Sequence, residues 1–221
     1  MKKLLAILFA TSLVLAACGG DETEEQDNTS DDQTQDEQSE NNGESESSTE
    51  ETDGSTEETS EDAQVGDVVE TEGGTFTLQA KTDSEQTFET GPIVLTVEQV
   101  VTASGELEGD MAEFMEADEL DYVQVDLTVE NTSDDDMTFY AGQGTMATST
   151  GEQLDPDMWL SDHIEGDMMA NTKASGSFYY VLENSNAEDV EHVRLKFSAP
   201  YNTESFDDVG EELDFEIQLN Q

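Results

Sequence analysis

Between Asp121 and Asn131 the chain reads Asp-Tyr-Val-Gln-Val-Asp-Leu-Thr-Val-Glu-Asn. Val123, Val125, Leu127 and Val129 fall on one side of a two-residue period. Tyr122, Gln124, Asp126, Thr128 and Glu130 fall on the other. This alternation is the pattern of a strand with one buried and one wet face. The β-branched valines suit a pleated sheet, where a stiff χ1 costs little. Asn131-Thr132-Ser133-Asp134-Asp135-Asp136 then stops the strand with turn-forming residues. The stretch is expected to be the central strand of an antiparallel β domain, with the centre of the core at Val125, Leu127, Leu195 and Phe215.

Other segments share the pattern. Val65 to Glu70 reads as a short entry strand and Gly73-Gly74 as a turn. Thr75 to Ala80 alternates, with Phe76, Leu78 and Ala80 inward, and Lys81 to Gly91 is polar and loop-like. Pro92 can open a strand, because a first residue need not donate. Ile93 to Val101 follows with Ile93, Leu95 and Val97 on one face. Within Gly105 to Leu120, the spacing of Met111, Phe114 and Met115 predicts a short helix capping one end of the core. Met137 to Tyr140 and Gly144 to Thr150 read as short strands, with a turn at Gly151-Glu152. Ser177 to Glu183 carries aromatic residues on both faces. His192 to Phe197 alternates with Val193, Leu195 and Phe197 inward, and Pro200 ends it. Leu213 to Leu219 closes the chain. Eight or nine short strands in one domain over residues 65–221 predict an all-β, immunoglobulin-like antiparallel β-sandwich. That length is ample for one core.

Charge limits the partners. The 221 residues include 56 acidic and 6 basic ones, a formal net charge of −50. Phosphate recognition needs a basic footprint, so nucleic acid is excluded. An anionic membrane surface would repel the folded part. Cys18 is the single cysteine, so no disulfide can form within the chain.

The start of the chain reads as a targeting segment. Lys2 and Lys3 precede an uncharged apolar run from Leu4 to Leu15, too short for a comfortable bilayer span. Leu15-Ala16-Ala17-Cys18 follows and resembles the bacterial lipobox. The resemblance implies a lipoprotein signal peptide over residues 1–17 and diacylation of Cys18. It implies a lipid bilayer as partner, at the extracellular face of the bacterial cytoplasmic membrane. Two acyl chains anchor stably where one does not. From Gly19 to Gln64 there are 19 acidic residues, no Lys, Arg or aromatic residue, and Ala63 as the one aliphatic residue. Such a segment cannot bury enough apolar area to offset the entropy of ordering, so residues 18–64 are expected to form a lipidated cysteine plus a disordered acidic linker. A neutral coil of that length reaches about 40 Å, and like charges stretch it further.

The run Tyr122 to Ser133, then Phe139-Tyr140, Thr150-Gly151-Glu152-Gln153 and Leu160-Ser161-Asp162, resembles one family. It is the immunoglobulin-like domain of unknown function of small Gram-positive lipoproteins, similar in fold to a secreted mycobacterial antigen. The resemblance runs from Ile93 to Leu219. It implies fold and localisation and brings no catalytic residues.

The chemistry-bearing cluster is Asp155 to Asp167. It holds Asp155, Asp157, Asp162, Glu165 and Asp167 as candidate metal ligands, with His163 among them. Calcium takes six to eight oxygens, which such a loop can offer, though the spacing is not that of an EF-hand. In a chain this acidic, a solvated loop is the commoner use. Met158, His163, Met168 and Met169 are ligand types for copper(I), but packing is the commoner use of methionine. The two histidines, His163 and His192, sit in no nucleophile, metalloprotease or phosphate-loop motif. The expected function is a membrane-anchored, non-catalytic binding or assembly module with no cofactor, facing an unknown envelope protein or ligand. The alternative is a calcium-binding lipoprotein using the 155–167 loop. A single sandwich lacks the two-lobed hinge of a transport receptor.

Overall fold

The computed structural model describes residues 63–82 and 84–221. Cys18 and its targeting segment, and the linker as far as residue 62, lie outside the described residues. The strands, in chain order, are β1 (Val68–Thr71), β2 (Gly74–Lys81), β3 (Gln86–Thr90) and β4 (Ile93–Leu107). A helix, α1 (Gly109–Met115), precedes β5 (Glu119–Asn131), β6 (Met137–Thr138), β7 (Thr145–Thr148), β8 (Gln153–Leu154) and β9 (Asp167–Met168). The remainder are β10 (Lys173–Val181), β11 (His192–Phe197), β12 (Tyr201–Asn202) and β13 (Leu213–Gln218).

All pairings are antiparallel. One sheet runs β1-β2-β4-β5-β10, with β3 beside the first half of β4. A second runs β13-β11-β7-β8, and β12-β6-β9 form a small third sheet. The main core lies between the two larger sheets. Ile93, Leu95, Val97 and Val100 of β4, Val123, Val125, Leu127 and Val129 of β5, and Phe178 and Tyr180 of β10 meet Met146, Val193, Leu195, Phe197 and Ile217. Each large apolar side chain so buried stabilises the fold by about 1.5–3 kcal/mol. The expected immunoglobulin-like sandwich is therefore the fold, but the central strand is β4, and β5 lies between it and the edge strand β10.

Asn131 explains why the β5 alternation ends in an asparagine. It is fully buried, and its Nδ2 donates to the carbonyls of Asp135 (2.9 Å), Met169 (3.2 Å) and Met168 (3.3 Å). Its Oδ1 accepts from the Ser133 amide and hydroxyl. Tyr180 is also buried, and its hydroxyl donates to the Gly144 carbonyl at 2.8 Å. Both polar groups thereby avoid the cost of an unpaired buried dipole.

Several local expectations are corrected. Lys81 to Gly91 is not a loop, since β3 pairs Gln86–Thr90 with Val97–Ile93. Its single large apolar residue, Phe88, stacks on Phe215. Phe76, Leu78 and Ala80 do not share a face. A register shift between Leu78 and Ala80 turns Ala80 into the main core while Phe76 and Leu78 point to the opposite side of the sheet. A second shift, between Val97 and Gln99, does the same to β4. Before it, Ile93, Leu95 and Val97 face the core; after it Val100 does, and Val101, Ala103 and Leu107 face away. One extra residue reverses the facing of everything beyond a bulge. Phe215 is half-buried at the edge of the core and not at its centre. Finally, the supposedly wet face of β5 is largely covered: Gln124 and Thr128 are 7% and 5% exposed, and Tyr122 is half-buried.

Candidate functional site

What covers that second face is an apolar groove. The two bulges deliver Phe76, Leu78, Val101, Ala103 and Leu107 to it, and β5 adds Leu120 and Tyr122. Aromatic rings run across the strands. Phe76 meets Tyr122 edge-on with centroids 5.4 Å apart, and Tyr122 meets Tyr179 of β10 in the same way at 5.4 Å. Gly105 allows this, because a Cβ there would collide with the Thr75 carbonyl and press on the Phe76 ring. An aromatic residue across from a strand glycine covers the backbone that the glycine bares.

Helix α1 forms one bank. Its Met111, Ala112 and Met115 pack on Phe76, Ala103, Leu107 and Leu120, yet no residue of the helix is fully buried. Asp110 in its first turn is favourable toward the helix dipole. The other bank is the segment around Leu160. Between them lies a cavity of about 260 Å³ lined by Phe76, Leu107, Met111, Leu120, Tyr122, Leu160 and Tyr179. A smaller hollow of about 100 Å³ continues it past Phe76, Tyr122 and Tyr179 to Ala63, Val69, Leu78 and Val101. Ala63 is buried there, and Lys81 Nζ donates to its carbonyl at 2.8 Å. Above the cavity Phe114 (56% exposed) meets Trp159 (74% exposed) edge-on at 6.1 Å, with Met158 (79% exposed) beside Trp159 in the chain. Burial, with the nearby charges of Asp126 and Asp162, raises the Tyr179 hydroxyl above its ordinary pKa. Burial does the same to Tyr122, helped by Tyr179 and Asp126. Both phenols stay protonated at neutral pH and offer donors at the groove floor.

The acidic 155–167 loop is placed beside this groove, and its carboxylates are dispersed. Asp157 Oδ1 accepts the amides of Trp159 (2.8 Å) and Leu160 (3.1 Å), which builds the turn that carries both. Asp162 Oδ2 accepts the Ser177 amide at 2.9 Å, and Ser161 Oγ accepts the Tyr179 amide at 2.9 Å. The Asp157 and Asp162 amides donate to the carbonyls of Tyr179 and Ser177. The loop thus seals the outer edge of β10 at Ser177 and Tyr179. Asp155 accepts from the Thr145 hydroxyl at 3.0 Å, and Asp167 from the Thr138 hydroxyl at 2.7 Å. Glu165 lies 3.2 Å from His163 Nε2, both well exposed. Among the described residues no three His, Cys, Asp or Glu side chains converge on a metal-sized point. Of the copper(I) ligand types, Met168 is in the main core while Met158 and Met169 face solvent. His192 Nε2 lies 3.6 Å from Glu216 Oε2 on the second sheet.

The groove residues Phe76, Tyr122, Leu160 and Tyr179 were not among the sequence candidates. Two signals pointed to them: a tyrosine on the polar side of β5, and aromatic residues on both sides of β10. Each means that the second face of the sheet is covered.

No family model matches the chain. It is 35% identical over 158 residues, covering 71% of its length and 72% of the relative's, to the SPbeta prophage-derived uncharacterized lipoprotein YonS of Bacillus subtilis (strain 168). Among solved structures, a functionally unknown protein from Listeria monocytogenes EGD-e superposes with a TM-score of 0.50 at 11% identity, over 66% of this chain and 87% of its own. A secreted protein from Mycobacterium tuberculosis aligns with a TM-score of 0.30 at 17% identity, over 59% of this chain and 92% of its own. By the extent and identity of the first match, the chain belongs to the family of bacterial lipoproteins that includes YonS.

Proposed function

We propose that the protein is a lipid-anchored, extracellular binding module. Cys18 holds the bilayer, the acidic linker that follows it lifts the domain, and the folded part, which takes in Ala63 and Gln64 at the linker's end, presents the groove to an envelope partner. The observation that supports this reading is the groove itself, an aromatic and methionine-lined hollow on the sheet face that the main core does not use. Soluble proteins rarely leave contiguous apolar surface of this kind uncovered without a partner for it. Methionines at its bank and rim suit adaptable, non-catalytic recognition. Among the described residues no helix is long and apolar enough to cross a membrane. The lipobox-like Leu15-Ala16-Ala17-Cys18 supports placing the anchor at the cysteine.

Two measurements test this. Cys18→Ala should release the protein from membranes, and retention after a high-salt wash would overturn the anchor. A photo-reactive phenylalanine analogue placed at position 114 or 159 of the lipidated protein, on intact cells, should give a discrete cross-linked adduct. The same analogue at Phe206, an exposed aromatic at the Asn131 end of the domain, should not. Identical adducts from both places, or none from the groove, would overturn the binding face.

A further inference from the structure

We infer that the groove takes a cationic amphipathic peptide segment, one that sets apolar side chains into the hollow and Lys or Arg along its margins. This rests on the reading of the groove as the binding face and adds the chemistry of its occupant.

Length speaks first. The groove crosses β1, β2, β4, β5 and β10, from Thr71 through Phe76, Ala103 and Tyr122 to Tyr179. Four strand spacings of about 4.8 Å make roughly 19 Å. That is too long for one small ring, and it matches ~13 residues of helix or ~6 extended residues. A helix laid in a hydrophobic groove is an established way to bury anchors at three-to-four spacing.

Charge sets the class of peptide. Glu72 stands between the lining residues Thr71 and Gly73. Asp110 and Glu113 flank Met111 along α1. Asp157 braces the turn that carries Leu160. Asp126 accepts from Gln124, which lines the smaller hollow. Three of the four basic residues of the described chain lie away from the groove. Arg194 and Lys196 pair with Asp214 and Glu212 on the second sheet, and Lys173 begins β10 opposite Glu130. The fourth, Lys81, stands at the Ala63 end of the smaller hollow, with its ammonium bound to the Ala63 carbonyl. An apolar hollow with acidic margins attracts cationic segments and repels acidic ones, including anionic lipid headgroups.

The test uses the secreted Cys18→Ala chain with linker and domain intact. Three labelled ~14-residue peptides serve as probes: an amphipathic Leu/Lys helix, its Leu/Glu counterpart, and a Lys/Ser peptide of equal positive charge. The Leu/Lys peptide should bind at least about tenfold more tightly than the Lys/Ser peptide and shift Trp159 emission to the blue, and Leu160→Lys should weaken it by a similar factor. Asp110→Asn with Glu113→Gln should weaken it a few-fold and flatten its salt dependence. If Leu160→Lys does not fold, Trp159→Ala at the exposed rim gives the same readout by anisotropy. Equal binding of Leu/Lys and Leu/Glu, still lost in the groove variants, would overturn the cationic assignment and leave the groove as a binding face. Equal binding of Leu/Lys and Lys/Ser, unaffected by the groove variants, would overturn the inference by showing attraction to acidic surface alone.

Discussion

Phe88 lies face to face with Phe215, ring centroids 3.5 Å apart and planes within 13°. The pair clamps β3 of the larger sheet to β13 of the smaller one, and Phe197 continues the stack behind Phe215 at 6.1 Å. It closes one side of the sandwich, where both rings remain half-buried. Leu127, in contrast, is in the middle of β5 with almost no exposed surface. Leu127→Ala should therefore cost about 2–5 kcal/mol, and Phe215→Ala less than a fully buried phenylalanine would, about 1–3 kcal/mol. Urea unfolding at constant m measures both. A larger loss at Phe215 than at Leu127 would place the centre of the core at the clamp.

Asn131 and Thr102 predict opposite signs. Asn131→Ala strips the carbonyls of Asp135, Met168 and Met169 of a donor, and the one at Met168, buried with Asn131, is stranded at a cost of about 1–3 kcal/mol. Thr102 is fully buried in β4, and its hydroxyl has no hydrogen-bond partner among the described residues. Thr102→Val keeps the shape and removes the unmet group, so it should be neutral or stabilising by up to about 1 kcal/mol. Thermal melts decide, and a clear loss with Thr102→Val would reveal a partner for that hydroxyl.

Glu152 gives the fold a dependence on pH. Partial burial pushes its carboxyl up, but hydrogen bonds outweigh that and hold it below its ordinary 4.5. The donors are the Ser185 hydroxyl, the Asn184 side chain and amide, and the Glu183 amide. A carboxyl depressed in the folded state contributes stability above its unfolded pKa and loses it as pH falls through the folded value. Between pH 5 and 3 the wild type should therefore lose more stability than Glu152→Gln does. Parallel pH profiles would show that the clasp carries no charge-dependent stability.

The domain carries 37 acidic and 4 basic residues from position 65 onward, a formal −33. Most carboxylates have no cation nearby, so folding gathers like charges. Sodium chloride shortens screening from about 10 Å at 0.1 M to about 3 Å at 1 M, and the melting midpoint should rise with it, most steeply at low salt. A midpoint indifferent to salt would contradict the electrostatic account. Calcium at equal ionic strength separates screening from a site. A saturable change in Trp159 fluorescence at micromolar calcium, lost in Glu165→Gln and Asp162→Asn, would establish the 155–167 loop as a metal ligand set.

The sheets were legible where alternation is unbroken. β5, β11 and β13 follow their sequence patterns because each keeps a single facing from end to end. The groove was hidden for a physical reason. Bulges at Gln79 and Glu98 reverse the facing within β2 and β4, so Val100-Val101 reads as one apolar run although its two members serve opposite faces. β3 was missed because a half-covered strand needs only one large apolar residue, Phe88. The carboxylates of the 155–167 loop are visible in the sequence, but their hydrogen bonds to β10, Thr138 and Thr145 depend on the tertiary arrangement.

The turn from Asp157 to Asp162 also bears on how copies of this protein behave together. It occupies the outward amides and carbonyls of Ser177 and Tyr179, and the opposite margin of the same sheet is divided between β1 and β3, four and five residues long. An open strand edge is a template on which another chain can add itself. Proteins anchored by lipid share a plane and collide often, so such a template would knit neighbours into a mat. With one margin stopped at Ser177 and Tyr179 by Ser161 and Asp162, and the other broken into two brief strands, this sheet offers a neighbouring copy little to pair with.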